Sequence, residues 1–189
     1  GHFEWLTPQE LKRLENLKVE NKGQRHILDA FLFCCYTGLR YSDFVRMKPD
    51  WIETVNGKPW LHFFTKKTNT EVRLPLSLLF DGKALDILAR YEDITKLARI
   101  YGNHDTNVVL SRIMEQAKIR KRATFHTARH TCATLLVYQG VPITTVQKIL
   151  GHTSLRTTQI YSEIMPRTVV KDLKSATRKS RKYFIGRTV

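Results

Sequence analysis

The sequence predicts a mostly α-helical domain with a small antiparallel β-sheet set inside it, an α+β arrangement. Three observations predict it. Helix start and stop signals recur along most of the chain. One stretch, residues 51–75, switches to short strand-like runs around Asn56-Gly57. The chain has 189 residues, 42% of them hydrophobic, which suffices for one hydrophobic core.

Each element follows from local signals. Thr7-Pro8-Gln9-Glu10 reads as a capping box with proline at the first helical position, so a helix is predicted from there to about Val19. Asn21-Lys22-Gly23 breaks it. A second helix fits Gln24 to Tyr36, stopped by Thr37-Gly38, and a short third one starts at Ser42 and ends before Pro49. Residues 51–55 and 59–65 flank the turn Asn56-Gly57-Lys58. Lys66 to Thr70 is a polar turn, and Glu71 to Leu74 forms a third strand closed by Pro75. Helices resume at about Ser77 to Arg90 and Asn107 to Ile119. Three more follow, at Phe125 to Gln139, Pro142 to Leu150 and Ser154 to Ile164, with Gly140 and Gly151 as stops. Pro166 opens a basic tail. No internal repeat and no linker between domains is visible.

Charge narrows the function classes. Thirty-two Lys and Arg face seventeen Asp and Glu, a surplus of 15 positive charges. Such an excess repels itself in a compact state and suits a polyanionic partner. Nucleic acid is the leading candidate, since Lys and Arg contacts to phosphates release condensed counterions. An anionic membrane surface is the rival, and a generically basic soluble protein is the bland reading. No run of about 18 apolar residues spans a membrane, and no charged-then-apolar leader opens the chain. Cys34, Cys35 and Cys132 form no CxxC spacing and read as reduced core residues of a cytoplasmic protein.

Six polar residues sit at element ends or on one helix face. Arg40 follows the stop Gly38. His126 and Arg129, at i and i+3, share one helix face. His152 follows the stop Gly151, and Tyr161 comes nine residues later, about two and a half turns into the next helix. Lys67 sits in the polar turn between two strands. Singly, each has an ordinary reading: a capping arginine, a helix stop, a solvated turn lysine, a half-buried tyrosine. His126 and His130 have the i, i+4 spacing of a zinc peptidase helix, but that pattern needs Glu where Thr127 stands.

Together these residues resemble the motif set of the tyrosine recombinase family, the phage-type integrases. Thr37-Gly38-Leu39-Arg40 resembles its first arginine box, and His126-Thr127-Ala128-Arg129-His130-Thr131 its HxxRH box. Leu150-Gly151-His152 followed by Tyr161 resembles its final box, and Lys67, eight residues before Pro75, its hairpin lysine. The resemblance runs from Leu6-Thr7 onward. Thr37 to Asp43 is similar in wording to integrases of Bacteroides-type mobile elements. Ala128 departs from the leucine common in the HxxR box, a change in packing.

The resemblance implies the catalytic-domain fold of that family and site-specific cleavage and rejoining of double-stranded DNA, for integration or excision of a mobile element. The chemistry accounts for the residue types. Attack on a phosphodiester builds negative charge, which Arg40 and Arg129 can clamp with planar forks and His152 can further hydrogen-bond. Tyr161 is the nucleophile, and the covalent bond it forms stores the energy of the broken one, so no cofactor and no metal is expected. A tyrosine hydroxyl with an ordinary pKa of about 10 needs a base or a cationic surround. His126 can take and return that proton, and Lys67 can protonate the leaving DNA oxygen. Asp43 is expected to hold Arg40 or Lys67 in place, and His130 to be a structural residue with its ring packed and hydrogen-bonded. Residues 1–166 are expected to form the catalytic domain. Residues 167–189 are expected to form a basic tail that docks on a neighbouring protomer in a tetrameric synapse, and the family's N-terminal DNA-clamping domain is expected to be absent from the chain. No membrane and no small-molecule substrate is implied. Type IB topoisomerase-like relaxation shares the chemistry, and a non-catalytic DNA-binding regulator is the alternative from another class.

Overall fold

A computed structural model describes residues 3–163 and Arg178. Nine α-helices among these residues enclose one three-stranded antiparallel sheet, as the sequence predicts. Helix α1 (Pro8–Glu15) opens on the capping box, with Thr7 Oγ1 accepting from the Glu10 amide and the Glu10 carboxylate accepting from the Thr7 amide. It ends at Asn16, short of the expected Val19. Leu17 and Val19 instead pack against the core from irregular chain. Asn21 does not break a helix but caps one, accepting from the Gln24 amide, so α2 (Lys22–Thr37) begins two residues before the expected start.

Helix α2 is the axis of the domain. Every residue from Ile27 to Thr37 is buried. Around it pack α4 (Lys83–Leu88), α6 (Asn103–Gln116) and α7 (Phe125–Tyr138), with α5 (Ile94–Ala98) at its flank. A helix hydrophobic on all sides is a core helix, and this one brings the start of the first arginine box into the centre of the domain. Helix α5 has no forerunner in the sequence reading. It is five residues long, capped by Asp93, and held by burial of Ile94, Leu97 and Ala98. The helix expected over Ser77–Arg90 is shortened because Phe80 and Asp81 take left-handed backbone angles, and the Phe80 ring sits against Tyr36.

Strands β1 (Ile52–Val55), β2 (Lys58–Phe64) and β3 (Glu71–Pro75) pair in sequence order, with Ile52 opposite Leu61 and Leu61 opposite Leu74. Asn56 and Gly57 both have positive φ, the turn that matches strand twist. Helix α3 (Tyr41–Phe44) precedes the sheet. Helix α8 (Ile143–Leu150) packs against β3, and α9 (Leu155–Gln159) packs on α8. Helix α9 is shorter than expected. Residues 160–163 are turn, so Tyr161 lies just past a helix and not within one.

The three cysteines are buried and free. Among the described residues no helix is long and apolar enough to cross a membrane. The expected docking tail, residues 167–189, lies outside the described residues except for exposed Arg178.

Candidate active site

Arg129 is the most constrained residue of the site. It is 6% exposed, and its two terminal nitrogens donate to the Gly38 and Leu150 carbonyls, each at 2.7 Å. Both acceptors lie at helix C-terminal ends, where backbone dipoles concentrate negative charge. The guanidinium therefore ties α2 to α8 through charge-assisted bonds. Burial first, and then the neighbouring Arg40 charge, push its pKa down to about 10.

The approach of those helix ends depends on two glycines. Gly38 has φ +77, and a Cβ there would meet Leu150 Cδ2 at 2.9 Å. Gly151 has φ +66, and a Cβ there would meet Val72 Cγ2 at 2.7 Å and Thr65 Cγ2 at 3.0 Å. The first keeps α8 close to α2, and the second keys the hairpin into the end of α8.

Arg40 leaves Gly38 in an extended conformation at the start of α3. Its Nη1 is buried without a hydrogen-bond partner among the described residues. Burial lowers its pKa, while Asp43 and then Tyr161 act in the opposite direction. Asp43 is 1% exposed, and its Oδ1 accepts from Arg46 Nη1 at 3.0 Å and from the Lys66 amide at 2.8 Å. It thus tethers the hairpin backbone to α3 and acts on Arg40 through its field; neither Arg40 nor the Lys67 side chain is its hydrogen-bond partner.

Lys66 and Lys67 both lie in the exposed turn after β2. That turn is built on threonines. Thr65 Oγ1 receives the Thr70 amide at 3.0 Å and shares a hydrogen bond with Thr68.

His152 follows Gly151. Its Nδ1 is 2.9 Å from Thr158 Oγ1, which fixes the ring on α9. Burial, then Arg129, Arg40 and His130, push its pKa from 6.5 down to about 4. The imidazole is neutral at neutral pH.

Tyr161 is 2% exposed, and its hydroxyl lies 2.8 Å from His130 Nδ1. Burial raises its pKa to about 12, with Arg129 and Arg40 pulling the other way. The histidine beside the hydroxyl is therefore His130. His126, one turn earlier, is exposed, with its ring stacked over His130 at 6.3 Å. On the other side Phe3 stacks on His130 at 4.4 Å and meets Tyr161 edge-on at 5.3 Å. Sequence reasoning expected His130 to be structural, its ring packed and hydrogen-bonded; here it stacks on Phe3 and its partner is Tyr161. The available signal was its position, four residues after His126 and next to Arg129, on the same face of α7. Thr158 and Phe3 carried no signal at all.

Arg40, Arg129, His130, His152 and Tyr161 thus converge, as their mutual electrostatic effects record. His126 stands at the rim and Lys67 on the hairpin turn. The fold is that of tyrosine recombinase catalytic domains. The XerH site-specific recombinase bound to palindromic difH substrate has a TM-score of 0.66 at 20% identity, over 89% of this chain and 52% of that one. The lambda integrase tetramer bound to a Holliday junction gives 0.64 at 19%, over 84% and 47%. The Tn1549 transposon integrase in complex with a circular intermediate DNA gives 0.63 at 19%, over 83% and 60%.

The Phage integrase family description matches residues 4–167, and the chain belongs to that family. A tyrosine recombinase of Pseudothermotoga lettingae is 28% identical over 173 residues, 86% of this chain and 57% of that protein. XerA of Pyrococcus furiosus is 28% identical over 183 residues, 93% of this chain and 61% of that protein. The chain spans somewhat over half the length of these relatives.

Proposed function

We propose that this chain carries the catalytic domain of a site-specific DNA recombinase that cuts and rejoins strands through a covalent 3′-phosphotyrosine at Tyr161. One observation carries the reading. The buried Tyr161 hydroxyl lies in the fields of two arginines, one of which holds a buried donor with no partner among the described residues. Preorganised donors of this kind are what a phosphoryl transition state needs.

Arg40 and Arg129 hold the nonbridging oxygens of the scissile phosphate, and His152 adds a hydrogen bond. Tyr161 attacks, the Oη–P bond forms and the P–O5′ bond breaks. Lys67 supplies the proton to the leaving oxygen from the hairpin that Asp43 anchors. His126 belongs to the same α7 face in the sequence reading, as the base for Tyr161. The reaction then needs neither cofactor nor metal. The partners are double-stranded DNA and further protomers upon it, a reading supported by the DNA complexes of fold relatives, among them a tetramer. Integration or excision of a mobile element is supported by the likeness to a transposon integrase.

The test is a covalent trap. A nicked duplex whose 5′-hydroxyl fragment diffuses away retains protein on the 3′ end, in a complex that survives boiling in detergent and forms in EDTA. Tyr161→Phe removes only the oxygen and abolishes the adduct with DNA binding nearly unchanged. An adduct that persists in Tyr161→Phe, or maps to another tyrosine, overturns the assignment. Joining of strands from two duplexes, as against resealing of one, separates recombination from topoisomerase-like relaxation.

A further inference from the structure

We propose that residues 3–6, the segment ahead of α1, form a strap that holds Tyr161 in a covered resting position, and that strand cleavage requires the Phe3 ring to lift away. This rests on the assignment of Tyr161 as the nucleophile and adds a gate in front of it.

The nucleophile is not placed to attack. Tyr161 is 2% exposed, whereas a reacting oxygen must come within about 3–3.5 Å of the phosphorus. Its hydroxyl is engaged with His130 Nδ1, 2.8 Å away, and not with His126, the base of the proposed reaction. Phe3 meets the tyrosine ring edge-on at 5.3 Å and stacks on His130 at 4.4 Å, with 27° between the planes. The His130 and Tyr161 rings lie 5.8 Å apart, so the three rings form one packed cluster. Phe3 is only partly buried, and its ring stands between Tyr161 and solvent on that side. A duplex cannot bring a phosphate to a hydroxyl enclosed in this way.

The base of the strap is well anchored. Leu6 is fully buried, and its amide donates to Thr131 Oγ1 at 2.9 Å, one residue along α7 from His130. Thr131 Oγ1 in turn donates to the Thr127 carbonyl at 2.7 Å. The Trp5 carbonyl accepts from Lys121 Nζ at 2.9 Å. The same ammonium lies 5.5 Å from the Trp5 ring centroid and 2.7 Å from Glu10 Oε1. These bonds fix the strap on α7 and on the chain just before it. Phe3, three residues out from Leu6, adds its ring contacts. Contacts of that kind break and re-form locally without unfolding a domain.

The segment beneath is equally suited to move. Helix α9 ends at Gln159, and residues 160–163 are turn. The Tyr161 amide donates to the Thr158 carbonyl, three residues back, at 3.1 Å, a bond that travels with the turn. Side-chain contacts, and not a helix, thus keep the tyrosine at its depth. Arg40 and Arg129 already act on it through their charges, so a short excursion brings the hydroxyl to the phosphate they clamp.

Two measurements on the full chain test this. Acetylation of tyrosine hydroxyls by N-acetylimidazole, without DNA, reads the cover. Trypsin places Tyr161, Tyr101 and Tyr36 on separate peptides, residues 157–167, 100–112 and 26–40. Tyr101 is 63% exposed and Tyr36 3%, so the first reports the reagent and the second the fold. In wild type, Tyr161 is expected to react as slowly as Tyr36. Phe3→Ala is expected to speed Tyr161 roughly tenfold with Tyr36 and Tyr101 unchanged. Phe3→Leu, which keeps an apolar side chain, is expected to fall between, and it carries the test if the alanine variant fails to fold. The second measurement is the second-order rate constant of adduct formation, which counts binding and opening together. Its probe is a nicked duplex selected, from a pool of randomised duplexes, by covalent capture with the wild-type protein. The constant is expected to rise several-fold in Phe3→Ala. Wild-type Tyr161 acetylated as fast as Tyr101 overturns the strap. So do Tyr36 and Tyr161 speeding up together in the variant, the mark of a packing residue. Adduct formation that is unchanged or slower in Phe3→Ala overturns it too, since Phe3 then plays no part or supports the attack. An adduct that maps to another tyrosine removes the nucleophile assignment, and the gate with it, however the acetylation rates fall.

Discussion

Arg129 and Lys67 serve the same phosphodiester in the proposed reaction, yet the fold treats them in opposite ways. Arg129 is buried, bonded to two helix ends, and set by two glycines whose positions admit no Cβ without displacement. Lys67 stands exposed on a turn whose backbone is held at its neighbour Lys66 by Asp43. The difference follows from the work each does. A charge that stabilises a transition state must be in place beforehand, since reorganising it during the reaction would cost the energy it supplies. A proton donor needs only to reach the leaving oxygen once substrate is bound. In the proposed reaction the domain thus fixes its anion clamp as part of its core and leaves its acid on a hairpin.

The sharpest way to break this contrast is Arg129→Lys. An ammonium cannot fork onto two oxygens, nor reach both the Gly38 and Leu150 carbonyls. The expected loss in adduct formation is roughly a thousandfold, with about 1–3 kcal/mol of stability lost as buried carbonyls go unpaired. Kinetics and thermal melts on one sample measure both, and a rate loss with unchanged melting would mean the tie between α2 and α8 is dispensable. Lys67→Ala is expected to slow cleavage by about a hundredfold with melting unchanged. A substrate with sulfur in place of the leaving 5′ oxygen is expected to recover most of that rate, since a thiolate leaves without a proton. If Lys66→Ala shows this rescue and Lys67→Ala does not, the acid is the other lysine of the turn.

The smallest effect is on pH-dependent stability. His130 and His152 both have pKa values lowered from 6.5 to about 4. Between those values the unfolded chain binds protons that the folded one does not, so stability rises with pH across that window. It is fully present above about 6.5 and is lost as pH falls toward 4. Denaturant melts of wild type and of a His130→Asn, His152→Asn double variant check this: the double variant is expected to show a flatter curve, and parallel curves would mean that neither ring is buried as neutral imidazole.

Much of this contrast was legible in the sequence because it is carried by local signals. Gly38 and Gly151 as helix stops, the start of the HxxRH helix at Phe125 and the Asn56-Gly57 turn are short-range features, and all appear in the structure. What depends on how distant segments cross was not legible. The spacing put His126, Arg129 and His130 on one face, but which histidine meets Tyr161 is decided by where the turn at 160–163 lies against α7. The end of α9 at Gln159 has no stop residue in the sequence. Asp43 was expected to hold Arg40 or Lys67, but it instead accepts from Arg46 and from a backbone amide twenty-three residues away, which has no identity a sequence could reveal.

The double duty of Arg129 also bears on how such a domain can evolve. A charge that merely met the substrate could be lost in one step by a lineage that no longer needs the chemistry. Here the same guanidinium closes two helices over the core, so losing it exacts a penalty on folding before any question of function arises. Tyr161 is itself buried in the core, but only its hydroxyl serves the chemistry, and phenylalanine would keep the ring's packing at the loss of one hydrogen bond. Descendants that keep this fold as DNA-binding proteins without catalysis are therefore expected to retain the buried arginine and to have changed the tyrosine, a fossil charge that outlives its reaction.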